Sequence, residues 1–139
     1  MYNNTRRLRH WSIAITAGLM VTISHAQTDG QLRKSLVGEW KEKRIVECEE
    51  HLQRMQLWAD GTFSVAGFIG ACDKLSTFVW RGKWKVVGHK FIYTTTFSNP
   101  PDVYPAGVTY EDQILQVTRD GWEMIEQSTG NKSIAVRMK

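Results

Sequence analysis

The strongest constraint on this chain is a period of two. From Trp40 onward, apolar residues recur at every second position in short runs, and Gly, Asp, Asn and Ser separate the runs. No helix-length segment in that region has the three-and-four spacing of an amphipathic helix. The pattern predicts strands over residues 40–48, 52–58, 62–69, 75–87, 90–97, 109–117, 122–127 and 133–138. Ala59-Asp60-Gly61, between two apolar runs, has the form of a tight hairpin turn. Phe78, Trp80, Trp84 and Val86 share one parity, with Gly82 among them, where a missing side chain can mark a bend. Pro100, Pro101 and Pro105 fall in one stretch, and prolines lack the amide donor a ladder needs, so that stretch is the one long loop.

Eight short antiparallel strands joined mostly by tight turns leave two all-β solutions, a closed up-and-down barrel or a two-sheet sandwich. Closure removes the exposed edges that would otherwise template aggregation. A sandwich needs long crossover connections, and only the proline loop has the length for one. The expected fold is therefore an eight-stranded antiparallel up-and-down β-barrel over residues 36–139. Residues 27–35 are polar and read as a flexible tail or a single helical turn.

The N-terminus reads as an export signal. Arg6-Arg7-Leu8-Arg9-His10 is basic, 13–23 is an apolar run, and Ser24-His25-Ala26 places small residues three and one positions before a cut after Ala26. The run has about eleven residues, where a membrane-spanning helix needs about twenty. Cleavage leaves a mature chain from Gln27, and no Cys follows the cut to be acylated. The expectation is a periplasmic or secreted protein that is not integral to a membrane. In such an oxidising compartment the two cysteines, Cys48 and Cys72, are expected to form a disulfide. Cys48-Glu49-Glu50-His51 could alternatively supply a thiolate and an imidazole to a metal, but that site needs two more ligands and only His89 remains downstream. No metal and no cofactor are expected.

Charge narrows the function further. The full chain carries 18 Lys+Arg against 14 Asp+Glu, but Arg6, Arg7 and Arg9 belong to the leader, so the remainder is nearly neutral. That balance gives no general pull on phosphate backbones, and no nucleic-acid partner is expected. Catalysis finds no motif: there is no Gly-x-Ser-x-Gly elbow, no phosphate-cradling glycine loop, and no acid beside His89 in sequence.

Leu36-Val37-Gly38-Glu39-Trp40 resembles the start of the lipocalin-like (calycin) barrels, in which a Gly-x-Trp opens the first strand. In that family an Arg on the last strand packs across the indole, and Arg137 stands at the corresponding place. Gly82-Lys83-Trp84 and the Trp58–Phe63 hairpin also look like patterns of small bacterial lipocalin-like domains. The resemblance covers residues 36–138 and implies that Gly38, Trp40 and Arg137 are structural, with Trp40 plugging the closed end. The strands are shorter than in a full lipocalin, which implies a shallower interior. An eight-stranded barrel can be filled by its own side chains or hold one small ligand.

Several residues are candidates for a ligand. Strict alternation puts Glu42 and Arg44 on the face of Trp40, hence inward, where an ion pair could grip a polar head group; a bulge after Trp40 would instead turn both to solvent. Phe63, Val65, Phe91 and Tyr93 are inward positions, as core or as cavity lining, and Tyr104 sits in a loop (99–104) able to cover the open end. Two functions follow as expectations. The first is an exported, non-enzymatic, lipocalin-like protein binding a small apolar or amphipathic ligand in the barrel mouth. The second is a solid-core periplasmic protein-binding module, such as an inhibitor of a cell-wall enzyme.

Overall fold

The structure, a computed structural model, describes residues 26–46, 49–71 and 74–139, excluding the side chains of 43–46, 49, 51 and 71. Helix α1 (Asp29–Leu36) precedes eight strands: β1 (Gly38–Val46), β2 (Glu49–Leu57), β3 (Thr62–Ala71), β4 (Lys74–Val87), β5 (Lys90–Asn99), β6 (Thr109–Val117), β7 (Gly121–Glu126) and β8 (Lys132–Arg137). Each strand pairs antiparallel with the next, and β8 returns to β1 through Trp40 opposite Arg137, Lys41 opposite Val136 and Glu42 opposite Ala135. The result is a closed up-and-down barrel, not a sandwich. Residues 1–25, which hold nearly all of the segment read as an export signal, and Cys48 and Cys72 lie outside the described residues.

Alternation fills the interior. Trp40, Met55, Leu57, Phe63, Val65, Trp80, Trp84, Phe91, Trp122 and Met124 are buried, while their strand neighbours face out. Two irregularities interrupt the period. On β4 the register shifts between Arg81 and Gly82; there a Cβ on Gly82 would overlap the Thr94 carbonyl oxygen and come within 2.9 Å of the Phe63 ring. On β6 it shifts between Ile114 and Gln116, which lets Ile114 and Val117, three positions apart, both be buried.

The segment read as a tail or a single turn is a two-turn helix that closes one end of the barrel. Thr28 and Gln31 form a reciprocal capping box, Thr28 Oγ1 accepting from the Gln31 amide and Gln31 Oε1 from the Thr28 amide. Leu32 and Leu36, one turn apart, are buried. Arg33 donates to the Ala59 carbonyl at 3.0 Å and lies 5.3 Å from the Trp84 ring centroid, tying the helix to the β2–β3 turn. Only two apolar residues mark this helix, too few for a periodicity reading; its stability comes from caps and docking.

Trp40 and Arg137 seal the same end. The Trp40 ring is fully buried, its Nε1 donates to the Leu36 carbonyl at 2.8 Å, and the Trp122 ring lies 4.7 Å away. The Arg137 guanidinium carbon stands 4.1 Å from the Trp40 ring centroid. Its nitrogens donate to the carbonyls of Arg119 (2.7 Å), Val37 (3.0 Å) and Ser35. Gly38 has φ +139°, and a Cβ there would collide with Arg137 Nη1, so the glycine of the Gly-x-Trp motif admits the arginine.

The helix also carries a pH-sensitive clasp. The Asp29 carboxylate accepts from the amides of His89 (3.0 Å) and Gly88 (2.8 Å) in the β4–β5 turn. These bonds, His89's first, hold its pKa below the ordinary 3.8. A depressed folded-state value means that the contribution is complete above the ordinary value and disappears as pH falls through the lower one. Amide exchange in α1 is therefore expected to accelerate relative to the barrel strands as pH drops through this range. Asp29→Asn should remove that pH dependence; an unchanged acid response in the variant would refute the clasp.

Candidate functional site

In an up-and-down barrel alternate connections share an end. The β2–β3, β4–β5 and β6–β7 turns lie with α1, so the other end carries the β1–β2, β3–β4 and β7–β8 connections and the long β5–β6 loop. That loop is tied to β5 at its far side, where the Gly107 amide donates to the Thr95 carbonyl at 2.7 Å and the Thr95 amide to the Val108 carbonyl at 3.0 Å. Between these anchors and Pro100, Tyr104 turns inward. Its ring stacks on Trp80, with centroids 4.1 Å apart and planes 13° apart, and meets Tyr110 edge-on at 5.5 Å. Tyr93 stacks on Tyr110 at 5.3 Å and lies 5.7 Å from Trp80.

Below this aromatic layer the interior is polar. Glu42 is 6% exposed; it accepts from Gln53 Nε2 at 2.7 Å and Ser133 Oγ at 2.9 Å. Asp112 and Glu126 face each other across the β6–β7 ladder and line the same cavity. Burial, followed by the charge of Asp112 and the neighbouring groups Tyr104, Glu126 and Glu42, pushes the Tyr93 phenol far above its ordinary pKa, so it stays a neutral hydroxyl. Two indole donors, Trp80 Nε1 and Trp122 Nε1, are buried without a hydrogen-bond partner, and both rings line this cavity. The cavity itself is about 20 Å³, close to the volume one water requires.

The structure gathers some of the expected residues and separates others. Glu42, Phe91, Tyr93 and Tyr104 meet around the cavity. The β1–β2 register runs unbroken from Gly38 to Val46, so no bulge turns Glu42 outward. The Arg44 side chain is outside the described residues. Phe63 is 2% exposed and packs edge-on against Trp80 at 4.9 Å, within the core and away from the cavity lining. Gln53, Asp112 and Glu126 were not anticipated as site residues. Their signal was parity: Asp112 lies two before buried Ile114, and Glu126 two after buried Met124.

Outside the barrel, a shallow groove of about 410 Å³ crosses the β4 bulge, bordered by Trp58, Ser64, Arg81 and Thr96. Trp58 is 43% exposed, and Phe97 beside Arg81 is 48% exposed. Among the described residues no helix is long and apolar enough to cross a membrane. The chain matches no protein-family model and no curated protein.

Proposed function

We propose that this chain is an exported lipocalin-like barrel that takes a small amphipathic molecule into its mouth as Tyr104 swings away. The carrying observation is the Tyr104–Trp80 stack, a loop side chain laid over a polar interior that holds two unpartnered indole donors. Buried donors without partners are uncommon in folded proteins and favour an acceptor supplied from outside. With Tyr104 in place the cavity of about 20 Å³ is far below the about 300 Å³ of a ligand pocket, so binding requires the loop to move. The family reading is supported by the Gly38-Glu39-Trp40 motif and by Arg137 over the indole.

Export and the disulfide belong to the same proposal. The disulfide reading is supported by the sequence alone: two cysteines, Cys48 and Cys72, in a chain read as exported to an oxidising compartment. Mass spectrometry of the full chain produced in an exporting bacterial host tests the whole proposal. The expected result under denaturing conditions is a chain that starts at Gln27 and weighs two hydrogens less than its reduced form. Under native conditions, a co-purified small molecule is expected. A mature chain with no adduct, even after incubation with a neutral long-chain alcohol, would count against the ligand reading.

The filled interior favours a second reading, an exported protein-binding module such as an inhibitor of a cell-wall enzyme. Its contact surface would be the outer groove at Trp58 and Arg81, with the exposed Phe97 ring beside Arg81. Substitution of Trp58 and Phe97 by Ser would then abolish partner capture, whereas it would leave small-molecule binding intact under the first reading.

A further inference from the structure

We propose that the outer wall formed by β3, β4 and β5 docks on an anionic lipid surface. The near-neutral total charge hides a segregation. From Gly61 to Pro101 the only carboxylate is Asp73, against Lys74, Arg81, Lys83, Lys85 and Lys90. Alternation along β4 puts Arg81, Lys83 and Lys85 outward and exposed. Among the described residues none of the three forms an ion pair. On β6 and β7, by contrast, the outward acids are paired: Glu111 with Lys90 at 2.9 Å and Glu123 with Lys132 at 2.6 Å.

The same wall carries two exposed rings. Phe91, Tyr93 and Thr95 are buried at alternate positions of β5, and Phe97 continues that series. The β4–β5 register shift leaves Thr96 without an opposite residue, so Phe97 faces out instead, 48% exposed. Its ring centroid lies 5.8 Å from the Arg81 guanidinium carbon, and Arg81 borders the outer groove together with the exposed Trp58. Cations beside exposed rings suit a headgroup layer, where the cations meet phosphate and the rings sit between water and acyl chains. A protein partner suits the wall less, since lysine is depleted from protein interfaces. Such docking needs nothing from the mouth, and it competes with the protein-binding reading for the same surface.

The test is co-sedimentation of the full chain, produced in an exporting host, with vesicles of phosphatidylcholine alone or with about one third phosphatidylglycerol. The unaltered protein is expected to bind only the anionic vesicles, and about 0.5 M salt should release it. Each cation near such a surface adds about fivefold to partitioning, so Arg81→Gln with Lys83→Gln and Lys85→Gln should weaken binding at least about tenfold. Arg119→Gln with Lys132→Gln and Lys139→Gln removes the same charge from the β6–β8 side and should weaken it less than about threefold. Trp58→Ser with Phe97→Ser keeps every charge and should cost at least about threefold. All variants share one N-terminus, so residues 1–26 produce no difference between them. Should the Arg81, Lys83 and Lys85 variant lose its fold by circular dichroism, the ring variant and the salt release decide in its place. Failure of the unaltered chain to bind anionic vesicles overturns the proposal. So does an Arg81, Lys83 and Lys85 variant that binds no more weakly than the Arg119, Lys132 and Lys139 variant; the surface then falls to the protein-binding reading.

Discussion

Replacing Trp40 by Ala is expected to lower the unfolding free energy by about 4 kcal/mol, the middle of the range for deleting a buried indole. Trp40 is fully buried and serves three elements at once: its Nε1 bonds the Leu36 carbonyl of α1, its ring packs on Trp122 of β7, and Arg137 of β8 covers its outer face. Removing it leaves a void under a guanidinium whose remaining contacts are the carbonyls of Arg119, Val37 and Ser35. Arg137→Ala should destabilise by about 2–3 kcal/mol, since it strips three carbonyls of a charged donor. The double variant should cost less than the two single changes added together, because both remove the same contact. Denaturant unfolding of the full chain measures all three. Full additivity would mean that the two residues act independently and that the seal is not a unit.

Gly82→Ala should be nearly as damaging, at about 3 kcal/mol, although it adds a single methyl. The new Cβ would overlap the Thr94 carbonyl oxygen, which is ladder backbone, and would press Phe63 ring carbons at 2.8 and 2.9 Å. Neither neighbour can move freely, since Phe63 is 2% exposed and packs against Trp80 and Tyr93. The bulge would have to slip or the strands to part. Gly88→Ala is the control. Gly88 has φ +59° and nothing within 4 Å of a built Cβ, so only backbone strain of about 1 kcal/mol opposes the change. Equal losses at the two positions, measured by the same unfolding experiment, would refute close packing at the bulge.

Much of this architecture was legible in the residues because a strand period is a local property. Alternation marked the eight strands, and hairpin-length turns left little choice but a meander. The pairing of Trp40 with Arg137 across the closure was readable only through the family resemblance, since nothing local links residues on the first and last strands. Three features were hidden for identifiable reasons. Helix α1 rests on Leu32 and Leu36 and on a capping box, a signal too sparse for periodicity. Ile114 and Val117 break strict parity because a register shift on β6 intervenes, and parity counts cannot see a bulge. The polar interior depends on which inward residues share a level of the barrel. That is set by register, which brings Asp112 opposite Glu126 and Glu42 within reach of Gln53 and Ser133. The space left inside depends on how the rings stack, which a one-dimensional pattern does not encode.

The account requires that the barrel be sealed at the Trp40–Arg137 end and open at the Tyr104 end. Residue-resolved amide hydrogen exchange on the full chain at neutral pH separates the two ends most directly. The predicted result is that the Arg137 and Met138 amides, bonded to Asp120 and Glu39, exchange only through global unfolding, while the Gly107 and Val108 amides open with a markedly smaller free energy. Equal protection at both ends, or earlier opening at Arg137 than at Gly107, would contradict it.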